Sequence, residues 1–345
     1  MDDLKIQETA ELETRSGRGN LLGIQPWMRQ TDYASEDTFH SRLDGYFHAA
    51  RQKGWIQEKT IVVLPEYLGT WLVVAGEKQS VVQSTTIAVT MRHLIGSHLG
   101  AFIRGVFLAR ERYRVEASLF RLKAKPMARI YQSVFSCLAK DYAVTLAAGS
   151  ILLTAPVVEN GQLQAGKGAL FNTCAVFRPD GLAELRLVKK AFPIASEQPF
   201  VQATAVDEIP VYQSPCGRLG ILICADSWYP EAVQRMNALG AEILAVPSAV
   251  LPGDHWNRPW LGYSGYAEPA DVDSGDIGRV TETQAWDKYA LEGRFARSGA
   301  RYGMNLFLYG DLWDLSPCGG RWKMIAGQTV MKGSQDGAAL INLNL

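Results

Sequence analysis

Residues 218–231 constrain the fold more than any other stretch, because an apolar segment changes there abruptly into the start of a helix. Residues 219–223 have the length and branching of a buried strand. Pro230 and Glu231 suit the first turn of a helix, since proline lacks the N–H that would be unpaired there and a carboxylate meets the positive end of the helix dipole. Cys224 therefore lies at a junction between strand and helix. It is either a nucleophile whose thiolate the helix stabilises or a small buried hydrophobe.

The composition argues against several partners and kinds of site. The chain has 345 residues, of which 47% are hydrophobic and 20% charged, as in an ordinary globular protein. Its 35 basic and 35 acidic side chains cancel, so no global field favours nucleic acid, and no nucleic-acid partner is expected. The five cysteines are widely spaced and form no Cys-x-x-Cys pair, which argues against a disulfide framework or a zinc site. We therefore expect no bound metal and a reducing, cytoplasmic location.

The chain is expected to form one domain after a short N-terminal arm. Residues 1–19 are polar and mostly charged, with no apolar core like that of a signal peptide, and we predict that they are disordered. No later stretch has the composition of a linker, so residues 20–345 are predicted to be a single domain. The longest uncharged stretch, 142–158, is interrupted by glycine and proline and falls short of the roughly 20 apolar residues of a membrane span.

The first part of the domain reads as strand, helix and strand. Residues 20–25 are predicted to be a strand, and a helix follows because apolar residues recur on one face at helical spacing. Residues 60–64 are an apolar, β-branched run typical of a strand buried on both faces. Glu66 comes directly after this run, so its carboxylate is either delivered to the sheet end, where α/β sites usually form, or simply solvated. Tyr67 and Trp71 then either line a pocket or pack in the core.

Residues from about 73 to 126 differ from the rest, being helical in composition and basic. Between Arg92 and Arg129 there are nine lysines or arginines against two acids, intermixed with apolar residues at helical spacing. Such an amphipathic unit packs on the body, on a partner or on a membrane surface. The simpler interpretation is a lid or dimer helix pair with a solvated basic face. We call residues 73–126 the insertion.

The remaining elements place two lysines at the end of a hairpin. Predicted helices cover 127–140, 230–239 and 284–301, and predicted strands cover 143–153, 170–178, 185–191, 242–246, 304–309, 322–331 and 338–345. The turn at residues 179–181 joins two of these strands in a hairpin that ends near Lys189 and Lys190. Residues 250–283 form a loop longer than usual, which suggests a functional or lid-like role.

Two motifs of the chain are specific enough to compare with known families: Val-Val-Leu-Pro-Glu66 and Cys216-Gly-Arg-Leu-Gly-Ile-Leu-Ile-Cys224-Ala-Asp-Ser-Trp-Tyr-Pro-Glu231. They are similar to the first and third motifs of the carbon-nitrogen hydrolase (nitrilase) superfamily, amidase-like branch, which the chain resembles from about residue 20 to 345 apart from the insertion. The resemblance implies an α/β fold, a four-layer α-β-β-α sandwich carrying a helical basic insertion. It also implies a catalytic Glu, Lys and Cys in that order along the chain.

The resemblance assigns the site residues as Glu66, Lys189 and Cys224. Lys189 stands four residues before Pro193, as the family lysine often does, and Glu197 lies where several amidases of the family carry a second glutamate. Lys190 is the rival of Lys189. Because adjacent strand residues face opposite ways, only one of the two reaches the site, and the spacing favours Lys189.

These residue types suit attack on an amide. A thiol with a pKa of about 8.5 is mostly protonated at neutral pH, so Cys224 needs a base, and Glu66 would take its proton. Lys189 and the backbone N–H of Ala225 would stabilise the oxyanion, and Glu197 would position the substrate or water. Tyr67 and Trp228 are candidates for contacts with the substrate. The chemistry requires no cofactor.

The predicted function is a thiol-dependent hydrolase of a non-peptide amide bond, acting through a thioester. The pair Ala225-Asp226, where nitrilases commonly have Trp-Glu, favours an amide over a nitrile. The alternatives are a nitrilase or an N-acyltransferase with the same site, and a catalytically silent binding or scaffold protein. The expected partners are a small amide or nitrile and water, with docking of the insertion on a partner or membrane surface. A homodimer or larger homo-oligomer is implied by the resemblance alone.

Overall fold

The computed structural model describes residues 2–14, 17–109, 111–251, 256–315, 319–333 and 337–345. The strands are β1 (Ile6–Leu12), β2 (Asn20–Gln25), β3 (Trp27–Arg29), β4 (Thr60–Val63), β5 (Thr145–Glu159), β6 (Gln162–Phe177), β7 (Val188–Lys189), β8 (Val211–Ser214), β9 (Gly217–Ile221), β10 (Ile243–Ser248), β11 (Tyr302–Phe307), β12 (Tyr309–Asp311), β13 (Lys323–Ala326), β14 (Thr329–Lys332) and β15 (Ala338–Asn344). The helices are α1 (Glu36–Gln52), α2 (Gln79–Val82), α3 (Ile87–Ser97), α4 (Leu99–Leu108), α5 (Arg114–Asp141), α6 (Pro230–Ala238), α7 (Glu282–Tyr289) and α8 (Leu291–Phe295).

Two sheets face each other between layers of helices. Within the described residues, the first sheet has the order β1-β15-β2-β4-β5-β6-β7, and the second has the order β14-β13-β11-β10-β9-β8. Helices α1 and α5 share one hydrophobic core with the outer face of the first sheet. Helices α6, α7 and α8 share the other core with the second sheet and with the inner face of the first. This arrangement confirms the predicted α/β class and four-layer α-β-β-α sandwich.

The sheets approach each other closely near the middle of β2. A Cβ atom at Gly23 would lie 2.7 Å from the sulfur of Met304 and 2.9 Å from a methyl carbon of Leu306, both on the facing strand β11. Only glycine leaves room for that contact. Strands β2, β4 and β10 are buried along their whole length, as expected of parallel strands covered on both faces. Strand β4 runs parallel to β2 and β5, and β9 runs parallel to β10 and antiparallel to β8. The residues that follow β4 and β9 meet between the two facing sheets, where Glu66 and Cys224 lie side by side.

The prediction that residues 1–19 form a disordered arm is wrong for most of the segment. Strand β1 pairs in parallel with β15 and becomes the edge of the first sheet. Its burial alternates along the strand, and the Glu11 carboxylate accepts a hydrogen bond of 2.8 Å from the Asn342 side chain. The polar composition reflects a half-exposed edge strand, which sequence patterning alone does not distinguish from a disordered arm.

The insertion is helical, but its last helix continues beyond its predicted end. Helix α5 starts at Arg114 and runs through Pro126, whereas the sequence predicts a helix beginning after that proline. Proline removes one N–H from the helix ladder, and this cost is offset because the flanking turns bury Phe120 and Met127 against the first sheet. The adjacent α4 instead leaves Phe107 82% exposed. No helix in the described ranges is both long and apolar enough to cross a membrane.

Two further predicted boundaries also change. The strand predicted over 185–191 shrinks to β7, Val188–Lys189, because the chain leaves the sheet directly afterwards. The helix predicted over 284–301 is divided into α7 and α8 at Ala290, whose backbone is extended. Both breaks turn the chain towards the region that follows β4 and β9.

Candidate active site

The ends of three strands bring a glutamate, a lysine and a cysteine together. Glu66 follows β4, Lys190 follows β7, and Cys224 follows β9. Glu197 joins them from the segment after β7. All four side chains are buried, and among the described residues they form one connected polar group beneath the thiol. We call Glu66, Lys190, Glu197, Asn172 and Tyr67 the polar cluster.

Lys190 is the centre of the polar cluster. Its Nζ lies 2.8 Å from Glu66 Oε1 and 2.7 Å from Glu197 Oε2. Burial lowers the pKa of Lys190, but the Glu197 and Glu66 carboxylates outweigh it and hold the pKa well above its usual range. The side chain is therefore a permanent cation held between two carboxylates, which is the environment expected of a lysine that stabilises negative charge.

The prediction of Lys189 as this lysine is wrong about the position. Lys189 pairs with Thr173 in the antiparallel register of β6 and β7, and its Nζ lies 4.6 Å from the ring centroid of Phe171. Lys190 follows on the opposite face, and its N–H donates to the carbonyl of Asn172 at 2.9 Å. The rule that adjacent strand residues face opposite ways is correct. The register with β6, which spacing to later residues cannot supply, decides which of the two lysines faces the site.

Asn172 is a site residue that the sequence reasoning missed. Its Nδ2 donates to Glu66 Oε1 at 2.9 Å and to Glu197 Oε1 at 3.1 Å. Because the amide bridges the two carboxylates, it fixes their separation. The only signal in the sequence is an amide within the buried, otherwise mostly apolar end of β6.

The two carboxylates of the polar cluster have different environments. Glu197 accepts hydrogen bonds from Lys190, Asn172, the Tyr67 hydroxyl and the backbone N–H of Ile194. Burial acts to raise the pKa of Glu197, but Lys190 outweighs it and lowers the pKa below its usual range. Burial raises the pKa of Glu66, and the attraction of Lys190 does not cancel that effect. The pKa values of the two carboxyls are thus pushed apart, and Glu66 is the one whose environment favours taking up a proton.

The second oxygen of Glu66 is the one left to act on the thiol. Oε1 is occupied by Lys190 and Asn172, neither of which reaches the buried Oε2, and the Cys224 thiol is the remaining side chain that hydrogen-bonds this carboxylate. The Glu66 carboxylate is close enough to the Cys224 thiol that its charge raises the pKa of that thiol. The carboxylate is therefore placed to accept a hydrogen bond from the thiol of the candidate nucleophile.

Cys224 occupies a strained turn rather than a helix start. Its φ is +49°, a left-handed conformation that costs a non-glycine residue about 1–3 kcal/mol. It begins a short 3-10 turn, Cys224–Trp228, which the Ser227 hydroxyl stabilises by donating to the carbonyl of Cys224 at 2.7 Å. Helix α6 starts only at Pro230. Burial raises the pKa of the thiol, and the thiol does not stand at the start of α6 as the sequence predicts.

Asp226 ties the nucleophile turn to the segment that follows Lys190. Its Oδ1 accepts from the backbone N–H of Ala191 at 3.0 Å and of Phe192 at 2.8 Å, and its Oδ2 accepts from Ile223 at 3.3 Å. Burial raises the pKa of Asp226 to about 7. These contacts give Asp226 a structural role, since it holds the turn at Cys224 against the segment after Lys190.

A cavity of about 260 Å³ opens on the other side of the thiol. Cys224, Ala225 and Trp228 all line it, so these three predicted residues share one site. Tyr67 instead belongs to the polar cluster, where its hydroxyl donates to Glu197. The rest of the wall combines aromatic rings with aliphatic side chains and comes from Ile194, the turn after Cys224, the segments 249–251 and 260–264, and α7. We call this space the aromatic cavity; its rings are those of Trp228, Tyr229, Trp260, Tyr263 and Trp286.

The insertion does not line the aromatic cavity in the part of the chain that the structure describes. It packs instead on the segment that carries Glu197. The backbone N–H of Tyr113 donates to the carbonyl of Pro199 at 3.2 Å, and the ring of Phe120 stacks on Phe200 with 6.2 Å between centroids. The insertion therefore supports the polar cluster from outside rather than capping the cavity.

Comparison with known proteins supports the resemblance found in the sequence. The model of the carbon-nitrogen hydrolase family matches residues 126–265, a range that includes Lys190, Glu197 and Cys224 but not Glu66. A probable hydrolase of Bacillus subtilis, YhcX, is 29% identical over 174 residues, which cover 49% of this chain and 31% of that protein. An N-carbamoylputrescine amidase of Solanum tuberosum is 29% identical over 134 residues, which cover 35% of this chain and 44% of that protein.

Solved structures share the fold over almost the whole chain. An amidase from Nesterenkonia has a TM-score of 0.58 at 15% identity, covering 97% of this chain and 92% of that one. A carbon-nitrogen hydrolase from Helicobacter pylori has a TM-score of 0.55 at 17% identity, covering 94% and 89%. At such identities the likeness establishes the fold. The sequence matches span less than half the length of the two curated relatives above.

Proposed function

We propose, from the premise that this chain belongs to the carbon-nitrogen hydrolase superfamily, that it hydrolyses a non-peptide amide bond of a small molecule. Cys224 would be the nucleophile, Glu66 the general base and acid, and Lys190 the cation that stabilises the oxyanion. The observation that carries this proposal is that the two carboxylate oxygens of Glu66 have different surroundings. One oxygen is held by Lys190 and Asn172, and the other is buried, with the Cys224 thiol hydrogen-bonded to the carboxylate.

In the first half of the reaction the amine leaves. Cys224 Sγ attacks the carbonyl carbon while its proton passes to Glu66 Oε2, so that the raised pKa of the thiol is overcome during attack. The resulting oxyanion is stabilised by Lys190 and by the backbone N–H of Ala225. Glu66 then gives its proton to the nitrogen, the C–N bond breaks, and an acyl thioester remains on the sulfur.

In the second half water replaces the amine. Glu66, again ionised, takes a proton from water as the oxygen attacks the thioester carbon. The C–S bond then breaks, the proton returns from Glu66 to the sulfur, and the carboxylic acid leaves. Glu197 remains ionised throughout, since its four donors fix it in place, and it would position Lys190 and Tyr67 rather than exchange protons.

The names of the relatives suggest the first substrates to test. Besides the potato enzyme, a citrullinase of Francisella tularensis is 30% identical over 107 residues, covering 37% of its length. N-carbamoyl amines and citrulline therefore belong in a panel with simple aliphatic amides and nitriles. Ammonia release measures hydrolysis, and an added amine acceptor detects acyl transfer.

The decisive experiment is covalent trapping at Cys224. The wild-type chain should hydrolyse at least one amide of the panel and give an acyl adduct on intact-mass analysis, and Cys224→Ala should lose both. Cys216→Ala is the matched control, since that buried thiol donates to the carbonyl of Lys59 at 2.8 Å, away from the site. Hydrolysis that survives Cys224→Ala would refute the proposal, and a chain with neither turnover nor adduct would instead be a binding protein.

Assembly, location and docking stay predictions. We expect a homodimer or larger homo-oligomer, which sedimentation would measure, and a cytoplasmic location. The exposed apolar face of α4, which includes Leu99, Ile103 and Phe107, is the part of the insertion expected to contact a partner or a membrane surface. A liposome flotation assay with and without anionic lipid tests the second of these directly.

A further inference from the structure

The aromatic cavity combines several ring faces with one carboxylate. The ring centroid of Trp228 lies 5.0 Å from that of Trp286, 5.5 Å from Tyr263 and 6.1 Å from Trp260. Glu282 lines the same cavity. None of the described lining residues is a lysine, arginine or histidine. The cavity therefore presents electron-rich ring faces and negative charge to whatever occupies it.

Glu282 is held in place without a cationic partner among the described residues. It is the first residue of α7, and its backbone N–H donates to the carbonyl of Arg258 at 2.9 Å. Burial raises the pKa of its carboxyl to about 7, and the Trp286 side chain is the only described group that lowers it. A carboxylate in such a place gains from a ligand that brings a positive charge.

A role at the helix start does not explain this position. Acidic residues are common in the first turn because they meet the positive end of the helix, but that role is fulfilled equally well by a side chain turned to solvent. Thr281 already caps α7, its hydroxyl accepting from the N–H of Gln284 at 3.3 Å. The position of Glu282 in the cavity wall, beside the Trp286 side chain, is what favours binding of a ligand there.

We propose that Glu282 and the rings of Trp228, Trp260 and Trp286 bind an ammonium group of the substrate, so that the enzyme prefers small amides carrying a second, cationic end. The inference rests on the proposed function, since it places the scissile carbonyl at Cys224 in the same cavity. Cations bind over tryptophan faces because the ring quadrupole attracts them, and a nearby carboxylate adds a direct ionic contact.

The neighbouring cations do not already occupy this subsite. Arg294, behind Tyr263, pairs with Asp271, and its Nε donates to the carbonyl of Trp228 at 3.1 Å. Lys190 is paired with its two carboxylates on the far side of the thiol. Both charges are therefore matched locally, whereas the Glu282 carboxyl is the acidic group in the described lining of the aromatic cavity and has no cationic partner there.

The size of the cavity limits the ligand to a small molecule. Its volume of about 260 Å³ is below the roughly 300–1,000 Å³ of sites for drug-sized ligands. The rings leave room for methylene groups between the two ends. The chemical class that fits is a short ω-amino amide with a protonated primary amine.

The test compares ω-amino amides with alkyl amides of equal chain length, at several lengths, by the ratio of their kcat/KM values. We expect the wild-type chain to prefer the amino member at its best length by about 10- to 30-fold, the range of a desolvated cation–π contact. Glu282→Gln should lower that preference several-fold, because the ionic contact is lost while the rings remain, and Glu282→Asp should retain more of it. Glu268→Gln, an exposed acid on the neighbouring loop, is the matched charge control and should keep the preference.

Two readouts separate this inference from the proposed function. If the wild-type chain hydrolyses both members equally, or Glu282→Gln keeps the preference, the subsite is refuted while the hydrolase stands. If no amide is hydrolysed, calorimetric titration of Cys224→Ala with the same pair still decides the matter. The subsite is supported if Cys224→Ala binds the ω-amino amide more tightly than the alkyl amide and the double variant Cys224→Ala with Glu282→Gln does not. Equal binding of the two amides by Cys224→Ala refutes the subsite. Circular dichroism melting of each variant checks that it is folded.

Discussion

The two sides of Cys224 are built on opposite principles. The polar cluster is buried, and its cation is matched by two carboxylates and a bridging amide. The aromatic cavity has apolar walls and a single carboxylate, Glu282, with no cation among its described lining residues. In the polar cluster the charges are paired within the protein, which suits a fixed catalytic role. In the aromatic cavity the carboxyl of Glu282 has no cation beside it among the described lining residues, which suits binding of a ligand. Substitutions in the polar cluster should therefore change kcat, and substitutions in the aromatic cavity should change substrate preference.

The largest effect expected from a single change in the polar cluster is that of Glu66→Gln. The amide cannot take the thiol proton, so kcat should fall by about 10²- to 10⁴-fold, the usual contribution of a general base. Binding should persist because the aromatic cavity is untouched. Steady-state kinetics combined with calorimetric binding of a substrate amide measures both. A variant with near wild-type kcat would show that Glu66 is not the base.

The matched test within that cluster is the pair of adjacent lysines. Lys190→Met should lower kcat/KM by about 10²- to 10³-fold, as loss of one oxyanion donor does. It should also lower the free energy of unfolding by about 3–5 kcal/mol at neutral pH, because two carboxylates remain buried without their cation. Lys189→Met should leave activity close to wild type. Equal losses in the two variants, measured by kinetics and urea unfolding, would contradict the placement of Lys190.

The pH dependence tests the interaction between the two carboxylates. Glu66 must be ionised to accept the proton, so kcat/KM should rise with pH through a pKa that burial and Glu197 hold above the usual carboxylate value. Glu197→Gln removes the like charge and should therefore move the rise of kcat/KM to lower pH. This shift is expected even if the variant also changes the maximum value of kcat/KM. The Glu268→Gln profile serves as control. A rise of kcat/KM that moves to higher pH in Glu197→Gln would show that the two carboxylates do not interact in this way.

The smallest effects are expected in the insertion, where two phenylalanines provide a matched pair. Phe120 stacks on Phe200 beside the Glu197 segment, whereas Phe107 is exposed. Phe120→Ala should lower the free energy of unfolding by about 3–5 kcal/mol, and kcat should fall because Glu197 is less firmly placed. Phe107→Ala should change stability by less than about 0.5 kcal/mol.

The two phenylalanine variants also test docking of the insertion. If α4 contacts a membrane surface, Phe107→Ala should reduce liposome flotation while turnover in solution stays unchanged. Chemical unfolding, steady-state kinetics and flotation together distinguish the two roles. Indistinguishable stabilities of Phe120→Ala and Phe107→Ala would show that the insertion does not support the polar cluster.

The sequence determined the parts of the molecule that depend on local pattern. The strand 20–25, the helix with Phe39 on its buried face and the strand ending before Glu66 follow from apolar periodicity, and the structure confirms them. Glu66 and Cys224 were found because strand ends and turns are marked by proline and by changes of period. Each of these signals lies within a few residues of the feature that it predicts.

Tertiary structure decided what depends on register and on contacts far apart in the chain. Lys190 rather than Lys189 reaches the polar cluster because of pairing with β6, and β1 is ordered because β15 lies beside it. Asn172 and Glu282 become site residues only when distant elements meet. The physical reason is that side-chain direction reverses at every strand residue, so one step of register, set by another strand, changes which charge is buried beside the nucleophile.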